Sequence, residues 1–243
     1  MIVTKVEMLE PLSLRKKWIN DLAQAVAFLE SLNLAHGDLR PENILLDRNR
    51  LKLSDFDCTA EIGTDFEACM APYGRILNNE PDQGRRGTAG FLGPRTEQFA
   101  LGSLYYLIDY GYEVYGDRRL ADDPKDHGPK VVELLQNMEF PELNGDPLID
   151  GIIYKCWHNK YATISDLAAY VKTILPERSK GEENNTGAIS IPRLDENSAE
   201  DFSSRKAYCQ DLEKRGLLDT LSSGEPEQLG FTLKWYRHIC HGN

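Results

Sequence analysis

No long apolar run occurs anywhere in the chain. Its 243 residues are 41% hydrophobic, and no stretch approaches the roughly 20 apolar residues that a membrane-spanning helix needs. The N-terminal stretch MIVTKVEMLEPLSL is broken up by Lys5, Glu7 and Glu10, so it lacks the apolar core of a secretory signal. Basic residues are outnumbered: 28 Lys and Arg stand against 39 Asp and Glu, a formal net charge of −11. Such a surface repels phosphate backbones and anionic lipid, which argues against nucleic acid and membranes as partners. Cysteine is sparse. Cys58, Cys69, Cys156, Cys209 and Cys240 are odd in number and widely spaced, with no CxxC pair. They read as reduced thiols rather than a disulfide frame, and the expected location is intracellular, in cytoplasm or nucleus. No internal repeat is present.

What the chain does have is a series of helical patterns around one short hairpin. Leu14, Trp18, Leu22, Ala25, Val26, Leu29 and Leu32 recur at helical spacing and predict an amphipathic helix over 12–34, with Ser13 as N-cap and Asn33 as exit residue. Residues 43–55 predict a tight β-hairpin: apolar Asn43-Ile44-Leu45-Leu46, a turn at Asp47-Arg48-Asn49-Arg50, then alternating Leu51-Lys52-Leu53-Ser54. Residues 56–94 show no period and are expected to form a long loop, functional or mobile. A second helix is expected over 97–110, stopped by Gly111. After a charged loop at 116–130, further helices are expected at 130–138, 147–158 and 163–175. Residues 179–199 are polar and read as a linker, and residues 200–243 as a helical tail.

The hairpin carries the chemistry. Centred near Arg48 and Asn49, it pairs residues whose numbers sum to about 97–98. Asn43 then faces Ser54 or Asp55, so an amide oxygen and a carboxylate can converge at the hairpin mouth. That is a hard-oxygen set of the kind Mg²⁺ favours when phosphates supply the other ligands. Asp38, on the loop entering the first strand, can face the same mouth and accept a proton from a hydroxyl.

The string His36-Gly37-Asp38-Leu39-Arg40-Pro41-Glu42-Asn43, followed by Asp55-Phe56-Asp57, resembles the HRDLKPEN and DFG motifs of eukaryotic protein kinases. Gly87-Thr88-Ala89-Gly90-Phe91-Leu92-Gly93-Pro94-Arg95 resembles the family's GTxxYxAPE. Glu97 to Gly102 resembles the DxWSLG start of its central helix, and Cys156-Trp157 its late CW pair. The match runs over about residues 1–175, with a particular likeness to kinase-like proteins of filamentous fungi. The resemblance implies an α+β, mainly α fold: a kinase C-lobe over 1–178 with a catalytic β-hairpin, and with the N-lobe absent. It implies Asp38 as catalytic base, Arg40 in place of the lysine that steadies the transferring phosphate, and Asn43 and Asp55 as Mg²⁺ and ATP ligands. His36, Phe56 and Glu97 take structural roles. ATP and Mg²⁺ are the implied cofactors, and a protein carrying a Ser or Thr hydroxyl is the implied substrate or partner.

Departures accompany the match. No glycine-rich loop or VAIK-type lysine precedes the first helix, so weak nucleotide binding and no activity are expected of residues 1–243. Gly37 replaces the motif's arginine, Asp57 its last glycine and Arg95 the glutamate of APE. Two other readings stay open: a pseudokinase or binding module, and a small-molecule phosphotransferase of the aminoglycoside- or choline-kinase type. The terminal His238-Ile239-Cys240-His241 reads as a frayed end rather than a zinc site. The glycines at 87, 90 and 93 lack the strand and the Lys-Ser/Thr of a phosphate loop.

Overall fold

The computed structural model describes residues 6, 8–66, 69–74, 77–78 and 82–175, all within one compact unit, Met1–Lys180. The expected linker and helical tail lie outside the described residues.

Helix α1 spans Leu12–Ser31 and buries Ile19, Leu22, Ala23, Val26 and Leu29. Its N-cap is Pro11, not Ser13, and no side chain caps it. Proline with φ −51° is already preset for helix entry, so no serine oxygen is needed. The exit matches the expectation: Asn33 takes a left-handed φ of 59°, and its N–H donates to the Glu30 carbonyl at 2.9 Å. Leu32, assigned to the apolar stripe, is exposed. It falls past the last helical turn.

Four short strands follow the helix and its loop. Strand β1 (Leu34–Ala35) pairs antiparallel with β4 (Ala60–Glu61). Strands β2 (Ile44–Asp47) and β3 (Arg50–Leu53) form the hairpin, with Ile44 opposite Leu53 and Asp47 opposite Arg50. This register sums to 97 at every pair, within the range that the sequence predicted. The backbone continues it one step further, with the Ser54 N–H donating to the Asn43 carbonyl at 2.9 Å.

Helix α2 spans Pro94–Tyr110, starting three residues before the expected position. Pro94 occupies its first turn, and the Thr96 hydroxyl reaches back to accept the Gly93 N–H at 3.0 Å. Gly111, at φ 80°, ends it. Then come α3 (His127–Gln136), α4 (Pro147–Trp157) and α5 (Ile164–Thr173). Asp146 caps α4 by accepting the Leu148 and Ile149 N–H groups, and Thr163 with Asp166 closes a capping box on α5. Helix α2 packs chiefly on α4, and α1 on α5 and β3. The Glu30 carboxylate of α1 also accepts the Ile164 and Ser165 N–H groups at 2.7 and 2.8 Å, satisfying first-turn donors of α5. Five α-helices and two small sheets among the described residues make an α+β, mainly helical domain. No described helix is long and apolar enough to cross a membrane.

Candidate functional site

The loop 36–43 is built around a buried neutral histidine. His36 has no solvent exposure. Its Nε2 lies 3.0 Å from the Ser54 carbonyl, which can only accept, and its Nδ1 accepts the Asp38 N–H at 3.3 Å. The two partners fix one tautomer, with the proton on Nε2. Burial pushes the imidazole pKa below its ordinary value, against the opposing pull of the Ser54 carbonyl and the Asp38 and Asp55 carboxylates. Phe56, half exposed, tilts against the ring with centroids 5.3 Å apart. His36 thus joins the Asp38 loop to the residue preceding Asp55.

Glu97 holds the same loop from beneath. It is fully enclosed on α2, and its carboxylate accepts the His36 and Gly37 N–H groups at 2.8 and 3.2 Å. Burial pushes its pKa up to about 7, against the lowering effect of those two amides. Gly37 has φ 79°, and a Cβ there would lie 2.6 Å from the Cys58 carbonyl oxygen. Glycine at 37 is therefore demanded by the backbone, beyond being the absence of an arginine.

Asp38 and Asn43 are joined directly. The Asn43 side-chain nitrogen donates to the Asp38 carbonyl and to Asp38 Oδ2, both at 2.8 Å. Arg40 Nε forms an ion pair with Asp38 Oδ2 at 3.2 Å and lies 3.9 Å from Glu42. Arg40 therefore meets the carboxylate itself, in addition to any phosphate it could serve. With its nitrogen engaged on Asp38, the amide oxygen is the end of Asn43 that could hold a cation.

Asp55 is exposed at the hairpin mouth and takes φ 57°. Left-handed backbone thus falls at Asp55 and not at Asp57, where the missing glycine had pointed. Aspartate tolerates that region better than most residues. One exposed carboxylate and one amide oxygen do not make a closed cage. No cluster of three or more His, Cys, Asp or Glu ligands occurs among the described residues. The open pair fits Mg²⁺ that arrives with phosphate oxygens and water, and does not fit a resident structural metal.

Two further residues entered the site without notice from the sequence. Cys69, from the aperiodic loop, donates its thiol to Asp38 Oδ1 at 3.1 Å. Asp21 of α1 is buried, accepts Arg50 Nε at 2.9 and 3.0 Å and the Leu51 N–H at 3.1 Å, and so fixes the hairpin to α1. A charged residue among Ile19, Leu22 and Ala23 was the available signal for Asp21. Nothing local marked Cys69. Arg95, standing where the motif has glutamate, is buried, and its Nη2 donates to the Ala89 carbonyl at 2.7 Å.

Comparison with known proteins bears on this geometry. Residues 3–96 match the protein kinase domain family model. Over that stretch the chain is similar to a protein kinase domain. It is 30% identical over 117 residues to CBL-interacting protein kinase 10 of Oryza sativa subsp. japonica, covering 44% of this chain and 24% of that protein. It is 28% identical over 166 residues to the human phosphorylase b kinase gamma catalytic chain, liver/testis isoform, covering 65% of this chain and 36% of that protein. The mouse form of the latter is 34% identical over 166 residues, with the same two coverages. The chain thus spans only 24% to 36% of the length of these relatives. The matched residues include loop 36–43, the hairpin, Asp21, Asp55, Phe56, Cys69 and Arg95, while Glu97 lies one position beyond them.

Proposed function

We propose that this domain provides the acceptor and metal side of an ATP·Mg-dependent phosphotransfer site acting on Ser or Thr hydroxyls. The observation that carries the reading is the bridge from Asn43 to Asp38, with Asp55 one residue beyond the Asn43–Ser54 pair. Asp38 accepts the hydroxyl proton. Asn43 and Asp55 would hold the Mg²⁺ that arrives with the nucleotide, and that ion would supply charge neutralisation for the transferred group. Arg40 pairs with Asp38 at rest and can turn its fork toward phosphate.

For residues 1–243 alone, the reading expects weak nucleotide binding that depends on Mg²⁺ and on Asp55, and no measurable transfer. Phosphates need a cover and a cation, which a longer protein with a glycine-rich loop and a strand lysine ahead of residue 1 would provide. Calorimetry with ATP·Mg on wild type and Asp55→Ala tests the first part. Tight binding without metal would place the nucleotide elsewhere. In the longer form, Asp38→Asn should abolish transfer while leaving ATP·Mg binding in place.

A second reading, a non-catalytic binding module, is favoured by the contacts of the Asp38 carboxylate. Both oxygens of Asp38 are already engaged, Oδ1 by Cys69 and Oδ2 by Asn43 and Arg40. Transfer in the longer form that ignores Asp38→Asn, or no transfer in it at all, would put this reading ahead.

A further inference from the structure

The two oxygens of Asp38 are engaged by different parts of the chain. Oδ2 is held by Asn43 and Arg40, which belong to its own loop. Oδ1 is held by Cys69, thirty-one positions away. A cysteine side chain is a Cβ bearing one X–H donor, the same framework as serine. Its sulfur, at 3.1 Å from Oδ1, lies within the reach that a general base requires of the group it deprotonates.

The thiol does not reach Asp38 by chance of a loose loop. Cys69 opens a tight turn, Cys69–Gly74, in which the Tyr73 and Gly74 N–H groups return to the Met70 carbonyl at 3.0 and 3.2 Å. Three anchors hold the turn. The Tyr73 ring is buried in the core, with Cys69 and Ala71 packed against the same cluster. The Tyr73 hydroxyl donates to Glu113 Oε1 at 3.0 Å. The Ser103 hydroxyl of α2 donates to the Pro72 carbonyl at 2.7 Å and itself accepts Trp157 Nε1 at 3.2 Å. At the tip, Met70 is 74% exposed, so the turn presents an apolar handle to solvent.

We propose that the Cys69 thiol stands in for the acceptor hydroxyl, so that the Cys69–Gly74 turn closes the acceptor side of Asp38 until an incoming hydroxyl displaces it. The proposal rests on the reading of Asp38 as the base. The exchange favours the substrate once it arrives, because a thiol is a weaker donor than a hydroxyl. The stand-in is also inert. Burial and the Asp38 carboxylate keep the proton on sulfur, against the smaller opposing effect of Arg40, and the thiolate is the reactive form. Tyr73 stands nearby as a protonated phenol, its ionisation suppressed by burial and by Glu113.

Thiol reactivity tests the contact without any assay of transfer. Residues 1–243 are treated with N-ethylmaleimide in mildly alkaline buffer, and each cysteine is followed by mass spectrometry. Exposed Cys58 and buried Cys156 serve as internal references for a folded chain. Cys69 should react roughly tenfold more slowly than Cys58, and Asp38→Asn should speed it severalfold while Cys156 stays protected. Cys69 reacting as fast as Cys58, or slowly but with no response to Asp38→Asn, overturns the contact. Cys69→Ala then tests the closure in the longer form described above, with ATP·Mg and a serine-containing peptide. Faster Asp38-dependent transfer supports it, and equal or slower transfer overturns it. Loss of transfer in every variant would count against Asp38 as base, a separate failure that the alkylation rates do not share.

Discussion

Glu97 on α2 holds the backbone amide of His36 at 2.8 Å, across sixty-one positions of chain. With the Gly37 amide also bound, one buried carboxylate sets the height of the Asp38 loop over the helical core. The cost is a charge without solvent. Burial raises its pKa to about 7, so the folded state holds a proton more tightly than the unfolded chain does. Stability from this group is therefore fully present below the ordinary glutamate range and is lost as pH rises toward about 7, by up to about 3 kcal/mol. Glu97→Gln removes the ionisation but turns one donor toward the amides. Its stability deficit in urea should be larger near pH 5 than near pH 7.5, by about 1 kcal/mol or more. His36, with its lowered pKa, has the opposite sign and loses stability as pH falls below its ordinary range. Its contribution is common to both proteins, so it cancels in the difference. Equal deficits at the two pH values would mean that Glu97 ionises normally in the fold.

How much of this could be read beforehand depended on the range of each interaction. The hairpin register followed from a two-residue turn, because once Asp47 faces Arg50 every other pair is fixed. Asn33 and Gly111 were legible as helix exits because left-handed termination has a local residue preference. Ser13 misled because proline at the preceding boundary already set the entry angle, and a motif position misled at Asp57, since the left-handed residue is Asp55. Asp21 was passed over because a charge on an apolar face reads as solvent-facing unless its partner is known, and Arg50 lies on another element. The Cys69 contact joins two loops, one of them without period, and such a pairing leaves no trace in either segment.

Gly37 invites a restoring mutation. Gly37→Arg recreates the motif's arginine, but it places a Cβ at a φ of 79° and 2.6 Å from a backbone oxygen. The carbonyl of Cys58 cannot yield without moving the segment that follows Asp55. The expected result is a destabilisation of about 2 kcal/mol or more, together with weaker ATP·Mg binding. Gly37→Ala should show most of the same stability loss, since the strain lies in the first carbon. Thermal unfolding of both variants checks it, and an arginine variant as stable as wild type would show that the loop reshapes freely.

Asp21 offers a test of what the hairpin needs. Asp21→Ala removes the acceptor for the Leu51 N–H and for Arg50. The Arg50 side chain is 53% exposed, so its charge returns to water and its pairing is worth little. The half-buried Leu51 amide dominates, and the expected cost is about 1–2 kcal/mol. Asp21→Asn retains one acceptor oxygen and should recover much of the loss. Because β2 and β3 lead to Asn43 and Asp55, the alanine variant should also lose Mg²⁺-dependent nucleotide affinity. Urea denaturation with parallel calorimetry would separate the two effects. A fall in stability with affinity intact would detach the metal site from the α1 clamp.

Two helical glycines should respond to alanine in opposite directions. At Gly102 on α2, an added Cβ would lie 2.8 Å from Trp157 Cδ1 and 3.0 Å from the Cys156 Cβ. The indole cannot swing aside cheaply, since it stacks on Phe140 with centroids 4.6 Å apart. Gly102→Ala should cost about 1–3 kcal/mol through overpacking of α2 against α4. The displaced indole nitrogen would also release Ser103, and with it the Pro72 carbonyl, so Cys69 should become more reactive in the same variant. Gly151 on α4 has nothing within 4 Å of the corresponding carbon. Gly151→Ala there gains helix propensity without a clash and should stabilise by about 0.5–1 kcal/mol. Thermal unfolding of the two variants side by side reads the contrast. A destabilised Gly151→Ala would reveal a close neighbour on that face of α4, and a neutral Gly102→Ala would mean that the Trp157 wedge is looser than its stacking on Phe140 implies.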